Sequence, residues 1–216
     1  MQIAILIFDG LAALDAIGPY EVLSRVPGAE VRFVAKQQGP KRTDTGGLGV
    51  QADLAIGELT GPEIVLVPGG AGSRPLTQDP EVLDWLRAVH GGSTWTTSVC
   101  TGALVLGAAG ILDGKRATTH WAFMDRLAQL GAEPVAERVV EDGKVITAAG
   151  VSAGIDMALT LASRLAGDQV AQAIQLGIEY DPQPPFDAGS PGKAPPELVE
   201  LIRSMEGRES ELDAGP

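Results

Sequence analysis

The apolar residues of this chain alternate between short continuous runs and helical patterns. Residues 3–8 and 64–67 are continuously apolar, as expected of strands that are covered on both faces of a sheet. Residues 80–90 instead place apolar side chains three or four positions apart, which is typical of an amphipathic helix. This alternation predicts an α/β fold of three layers, in which a mostly parallel sheet lies between helices.

The same criteria predict the remaining elements. Further strands are expected at residues 31–35, 93–99 and 117–119, further helices at 15–25, 101–109, 121–130, 152–165, 168–179 and 195–205, and hairpins within 46–54 and 138–147. Residues 181–196 are rich in proline. We therefore expect one α/β domain over residues 1–180. Residues 181–216 are expected to form a proline-rich arm, a short helix and an acidic tail from about Glu206, which pack on the same domain or on a dimer partner.

The composition and the charge of the chain exclude some classes of function. Hydrophobic residues make up 44% of the 216-residue chain but aromatic residues only 4%, so the core is expected to consist of Ala, Val, Leu and Ile. The formal net charge of -12 repels phosphate backbones and argues against nucleic-acid binding. No apolar run reaches the roughly 18 residues that a membrane span needs. We expect a partner of another kind, a small-molecule substrate.

Cys100 is the only cysteine, and it lies between the predicted strand 93–99 and the predicted helix 101–109. A sharp strand-to-helix turn exposes a side chain at the carboxyl edge of the sheet, and the positive end of the helix favours a thiolate there. The alternative is a buried structural cysteine. A single cysteine cannot form an internal disulfide, which favours a cytoplasmic location.

Other polar and glycine residues are predicted at the same edge, where parallel sheets bind ligands. Gly69 and Gly70 follow the strand at 64–67, and the N–H groups of Gly70 and Thr101 are candidates for an oxyanion hole. A simple turn is the alternative for the two glycines. The cysteine and the two histidines lack metal-ligand spacing, so no metal site is expected.

Asp15 and His120 each have two interpretations. Asp15 can cap a helix. If it instead lies beside Cys100, the two acidic groups repel each other, one of them keeps a proton, and a protonated Asp15 can deliver that proton to a substrate. His120 is a secondary candidate, either as a base that activates Cys100 or as a structural side chain packed near Trp121.

Four segments together resemble the ThiJ/PfpI superfamily. They are Asp15-x-x-Gly18-Pro19, Pro68-Gly69-Gly70, Ser98-Val99-Cys100-Thr101-Gly102 and Ala117-Thr118-Thr119-His120-Trp121. The resemblance runs from residue 3 to about residue 192. It implies a flavodoxin-like fold with a nucleophile elbow at Cys100, a carboxyl group of Asp15 that is hydrogen-bonded to the nucleophile, and Thr101 as the residue after the elbow. It also implies a homodimer.

Within the superfamily, proteases and glyoxalases usually carry Glu where this chain has Asp15, and proteases carry His where it has Thr101. The resemblance therefore implies hydration of isocyanides to N-substituted formamides, with no cofactor. Cys100 would attack the terminal carbon while Asp15 protonates the developing nitrogen anion, and water would then resolve the thioimidate. Gly69, Thr119 and Trp121 are expected to line the substrate pocket.

Two other functions remain open at this point. Related domains fused to AraC-type regulators suggest a non-enzymatic ligand sensor or a redox sensor. Another cysteine-dependent hydrolase of the superfamily is the third possibility. Phe186, the only aromatic residue of the arm, is a candidate anchor in a pocket of its own subunit or of a dimer partner.

Overall fold

The computed structural model describes residues 1–59 and 61–213, and side chains up to residue 206. The strands are β1 (Gln2–Leu6), β2 (Glu30–Ala35), β3 (Gly39–Arg42), β4 (Gly49–Ala52), β5 (Leu54–Ala55), β6 (Ile64–Val67), β7 (Trp95–Val99), β8 (Arg116–Ala117), β9 (Glu133–Pro134), β10 (Val139–Asp142) and β11 (Val145–Ala148). The helices are α1 (Ala13–Leu23), α2 (Ser73–Leu76), α3 (Pro80–Gly92), α4 (Gly102–Ala108), α5 (Met124–Gln129), α6 (Ala153–Ala166), α7 (Asp168–Gly177) and α8 (Pro196–Asp213). A 3₁₀ turn, Trp121–Phe123, precedes α5.

Seven strands form the central sheet in the order β10-β11-β7-β6-β1-β2-β5. Only the edge pair β10–β11 is antiparallel, so the predicted mostly parallel, flavodoxin-like fold is confirmed. The strand order reverses direction at β1, with β2 on one side and β6 on the other. Such a reversal opens a crevice at the carboxyl ends of the two central strands, which is where ligands bind in these folds.

The core explains why the apolar runs form central strands. All four residues of β6 are fully buried, and Ile3, Ala4 and Ile5 of β1 are too. Because helices cover both faces of the sheet, a polar side chain in these central strands would lose its water without gaining a partner. The continuous apolar pattern is the consequence.

Several local predictions need correction. Helix α1 begins at Ala13, two residues before the predicted start, and its N-cap position is Ala12 without a side-chain cap, so Asp15 does not cap the helix. The hairpin predicted within residues 46–54 forms further upstream. Its two strands are β3 and β4, and only β4 lies within the predicted range. The predicted strand 117–119 is replaced by β8, which pairs with β9 outside the central sheet.

The last helix is also longer than predicted. Helix α8 spans 18 residues and does not end near Met205. The acidic composition of residues 206–213 suggested an end, but apart from Gly207 these residues tolerate helix and include no proline. Residues 214–216, the end of the predicted acidic tail, lie outside the described residues.

The chain divides into two compact units, Met1–Ile178 and Glu179–Pro216. The first contains the sheet. In the second, α8 exposes apolar side chains along one face: Leu198, Leu201, Ile202 and Met205. Phe186 exposes 79% of its surface. Packing of this unit on the α/β domain or on a dimer partner stays a prediction. None of the described helices is long and apolar enough to cross a bilayer.

Candidate active site

Cys100 occupies a strained turn between β7 and α4. Its φ is +56°, in the left-handed region that residues other than glycine seldom adopt. Its N–H donates to the carbonyl oxygens of Ala148 at 3.1 Å and Ala149 at 2.9 Å, and its own carbonyl oxygen accepts from Thr119 Oγ1 at 2.8 Å. Strand, turn and helix follow one another as in a nucleophile elbow. Contacts on both sides hold the strained backbone in place.

Gly102 allows α4 to start directly against β6. A Cβ atom at this position would lie 2.0 Å from the carbonyl oxygen of Val67, which is backbone and cannot move aside. Any side chain here would push the elbow away from the sheet. The glycine after Cys100-Thr101 is therefore a packing requirement of the elbow.

Asp15 is fully buried beside this turn. Its Oδ2 accepts from the Gly69 N–H at 2.8 Å, whereas Oδ1 has no hydrogen-bond partner among the described residues. Burial raises the pKa of Asp15 to about 7, and the Gly69 hydrogen bond opposes this rise only in part. A Cβ on Gly69 would lie 2.5 Å from the Thr101 nitrogen and 3.0 Å from Asp15 Oδ2, so glycine is what lets these groups meet.

Cys100 is buried, with 6% of the residue exposed. Burial raises its pKa, and the negative charge of Asp15 raises it further. The N–H groups of Thr101 and Val151 and the Thr101 side chain act in the opposite direction. Because both acidic groups have raised pKa values, the pair retains at least one proton at neutral pH. The sequence predicted that the helix would favour a thiolate, but burial and the charge of Asp15 outweigh that effect and the pKa of the thiol is raised.

The Thr101 hydroxyl is surrounded by donors. Its Oγ1 accepts from the Gly70 N–H at 3.0 Å and from Ser73 Oγ at 2.8 Å. The Gly70 N–H is thus engaged by Thr101, and of the predicted oxyanion pair only the Thr101 N–H lowers the pKa of the Cys100 thiol. Ser73 was missed by the sequence analysis because it lies in no motif, and only the fold places it here.

Val151 was also missed. It has a φ of +22°, and its N–H acts on the Cys100 sulfur. It lies just past the end of β11, the strand beside β7, at the edge where the other site residues meet. The sequence could have indicated Val151 by this position, because residues at the carboxyl ends of adjacent parallel strands lie close together.

His120 is placed near the site but not against the nucleophile. Its Nδ1 accepts from the Ala122 N–H at 3.4 Å, and its ring lies 5.5 Å from that of Trp121. Burial lowers its pKa, so the ring is neutral at neutral pH. No hydrogen bond described in residues 1–59 and 61–213 joins His120 to Cys100, which favours the structural interpretation.

The other predicted residues are placed as follows. Thr119 is buried and holds the Cys100 carbonyl, Gly69 holds Asp15, and Trp121 is half-buried beside His120. Their roles in a substrate pocket remain predictions. Among the residues that the structure describes, no three His, Cys, Asp or Glu side chains are grouped as metal ligands would be.

Comparison with known proteins agrees with this geometry. The profile of the DJ-1/PfpI family matches residues 1–164. The chain is 48% identical over 203 residues to an isonitrile hydratase of Pseudomonas putida, which covers 94% of this chain and 89% of that protein. It is 33% identical over 180 residues to the HTH-type transcriptional regulator CdhR of Pseudomonas aeruginosa, covering 80% of this chain and 52% of the regulator. The crystal structure of a ThiJ/PfpI family protein from Pseudomonas syringae superposes with a TM-score of 0.93 at 36% identity, covering 100% of this chain and 90% of that one. The predicted resemblance is confirmed, and this chain belongs to the DJ-1/PfpI family.

Proposed function

We propose that this protein hydrates isocyanides to N-substituted formamides, with Cys100 as nucleophile and Asp15 as the group that carries the proton. The observation that carries the proposal is the buried Asp15 carboxyl beside the buried Cys100 of the elbow, where burial raises the pKa of both groups. The 48% identity to an isonitrile hydratase over nearly the whole chain supports the same reaction. A protonated acid beside a soft sulfur nucleophile suits R–N≡C, whose terminal carbon is attacked by thiolates.

In the first step the sulfur of Cys100 bonds to the terminal carbon. The proton shared by Cys100 and Asp15 passes to the same carbon, because the formamide product carries its hydrogen there. This refines the sequence-based expectation, in which the proton went to nitrogen. The result is a thioimidate, R–N=CH–S–Cys100, beside an ionised Asp15. Because the acid is held beside the nucleophile, the proton is transferred within the site and does not have to come from solvent.

In the second step water adds to the thioimidate carbon. One water hydrogen goes to nitrogen, and the hydroxyl remains on carbon. The C–S bond then breaks, the hydroxyl proton passes to Asp15, and R–NH–CHO leaves. The thiolate and the protonated acid are restored, so atoms and charges balance over the cycle. The N–H groups of Thr101 and Val151, which already act on the sulfur, would stabilise the departing thiolate.

Incubation of the purified protein with a para-substituted phenyl isocyanide tests the proposal. Chromatography should show the matching formamide in amounts far above the enzyme concentration, with Ser98→Ala as a matched control. Ser98 is a buried serine of β7 whose hydroxyl has no partner among the described residues. Saturable binding of isocyanides without any formamide would refute hydration and would favour the sensor alternative.

We further propose a cytoplasmic homodimer whose contacts include residues 181–196, and size measurement tests this state. Light scattering at micromolar concentration should give twice the chain mass. Deletion of residues 182–216 should lower stability or activity, whereas deletion of 207–216 should change little. A fully active monomer would rule out a required dimer.

A further inference from the structure

The carbonyl group of Cys100 is held by a side chain from outside the elbow. Thr119 Oγ1 donates to the Cys100 oxygen at 2.8 Å, and both residues are buried. The same oxygen accepts from the Ala103 N–H at 3.3 Å, which is long for an N–H···O hydrogen bond. The Thr119 hydroxyl therefore makes the shorter of the two contacts that fix the direction of this carbonyl.

The direction of the carbonyl determines the direction of the N–H group that follows it. The peptide bond between Cys100 and Thr101 is trans and planar, so its C=O and N–H groups point in opposite directions. Because the Cys100 oxygen points toward Thr119, the Thr101 N–H points away from Thr119.

The order of the strands shows what lies on each side of this peptide. Strand β7, which leads into the elbow, lies between β11 and β6. Thr119 is on the side of β11, because the N–H of the preceding residue, Thr118, donates to Thr147 Oγ1 of that strand at 2.9 Å. Gly69 follows β6 on the other side. The Thr101 N–H therefore faces the Gly69 side of the elbow.

Asp15 borders the space that the Thr101 N–H faces. A Cβ on Gly69 would lie 2.5 Å from the Thr101 nitrogen and 3.0 Å from Asp15 Oδ2. Thr101 is buried, and its N–H donates to no oxygen in the described part of the chain. Buried N–H groups without an acceptor are rare, so we expect the acceptor to be negative charge that develops during the reaction.

We propose that Thr119 is a positioning residue, whose hydroxyl fixes the plane of the Cys100–Thr101 peptide and so directs the Thr101 N–H into the active site. Cys100 needs this support because its φ of +56° is unfavourable for a residue other than glycine, and a free peptide would relax from it. The effect of Thr119 on turnover rests on the proposed function, but its effect on the elbow does not.

Alkylation with iodoacetamide tests the proposal without an isocyanide. Cys100 is the only cysteine, so adduct formation reports this one sulfur. Thr119→Val keeps the shape of the side chain but removes the donor, so the peptide can turn and the thiolate loses the neighbouring Thr101 N–H. The alkylation rate at fixed pH should fall about tenfold. Thr119→Ser keeps the hydroxyl and should keep most of the wild-type rate.

Thr97→Val is the matched control. Thr97 is a fully buried residue of β7 whose hydroxyl donates to the Val65 carbonyl oxygen at 3.1 Å, so the variant loses the same kind of hydrogen bond away from the elbow. Its thermal unfolding midpoint should fall about as much as that of Thr119→Val, whereas its alkylation rate should stay at the wild-type value. Thr119→Ala removes the same hydroxyl and takes the place of Thr119→Val if that variant does not fold.

Three alkylation results would overturn the proposal. They are a wild-type or faster rate without the Thr119 hydroxyl, an equal loss in Thr119→Ser, and an equal loss in Thr97→Val. A crystal structure of Thr119→Val reads the backbone directly and should show the Cys100–Thr101 peptide turned, with a changed φ at Cys100. An unchanged peptide plane would also overturn the proposal.

If the protein hydrates isocyanides, kcat of Thr119→Val should fall about as much as its alkylation rate, with KM unchanged. If no isocyanide is hydrated, the proposed function fails, while the alkylation rates and the crystal structure still decide the role of Thr119. The two proposals can therefore fail separately.

Discussion

Replacement of Asp15 by Asn should change how the stability of the protein depends on pH. Asn keeps the shape of the side chain and an oxygen that can accept from the Gly69 N–H. It removes the ionisation. In the wild type, burial raises the pKa of Asp15 from 3.8 to about 7. Between these two values the folded protein binds a proton that the unfolded chain has released, so the free energy of unfolding falls as pH rises.

The size of the effect follows from the two pKa values. A rise from 3.8 to about 7 corresponds to about 4 kcal/mol of destabilisation when the carboxyl is ionised in both states. Over the accessible range from about pH 5 to about pH 8, the wild type should lose about 2.5 kcal/mol through this group. Burial of the carboxyl is the structural reason, because the Gly69 hydrogen bond to Oδ2 offsets only part of the cost of a buried charge.

Urea unfolding at several pH values measures this slope. The high net negative charge also weakens the fold as pH rises, but that contribution is shared by both proteins. The informative quantity is therefore the difference between wild type and Asp15→Asn, which should grow in favour of the variant across this range. Equal slopes would show that Asp15 is ionised in the fold at pH 5, and the proposed proton carrier would be lost.

Three further outcomes are expected. Cys100→Ala should abolish formamide formation while far-ultraviolet circular dichroism stays unchanged, and turnover in this variant would refute a covalent mechanism. Asp15→Asn should reduce kcat at least about 100-fold, whereas Asp15→Glu should recover part of it by restoring a carboxyl; equal activity of Asn and Asp would exclude proton transfer. Gly102→Ala should destabilise the fold strongly in thermal unfolding, because its Cβ would strike the β6 backbone, whereas Gly91→Ala, with nothing within 4 Å of the new atom, should not.

The sheet and the elbow could be predicted because their signals are local. A run such as residues 64–67 is apolar throughout since both of its faces are covered, and the structure assigns these same four residues to β6. Cys100 was placed correctly because a strand pattern precedes it and a helix pattern follows it. In both cases the physical cause lies within about ten residues of the feature.

The electrostatics of the site could not be predicted in this way. The raised pKa of the Cys100 thiol depends on how many side chains cover it, and the isolated turn gives no measure of that. The contact of Ser73 with Thr101 joins residues 28 positions apart that share no motif. Asp15 resembled a helix cap because its true partner, the Gly69 N–H, lies 54 residues away.

The proposal that Asp15, and not His120, is the acid depends on how burial changes the pKa of each side chain. Burial raises the pKa of the Asp15 carboxyl to about 7 but lowers that of the His120 imidazole, because it disfavours the charged form of each. At neutral pH Asp15 can therefore hold a proton for the reaction, whereas His120 is already neutral. The Nδ1 atom of His120 accepts from Ala122, which leaves the ring proton on Nε2, and no hydrogen bond in the described part of the chain joins this ring to Cys100. Of the two candidates in the sequence, only Asp15 interacts electrostatically with Cys100 and has a raised pKa, which supports its proposed role as the proton carrier.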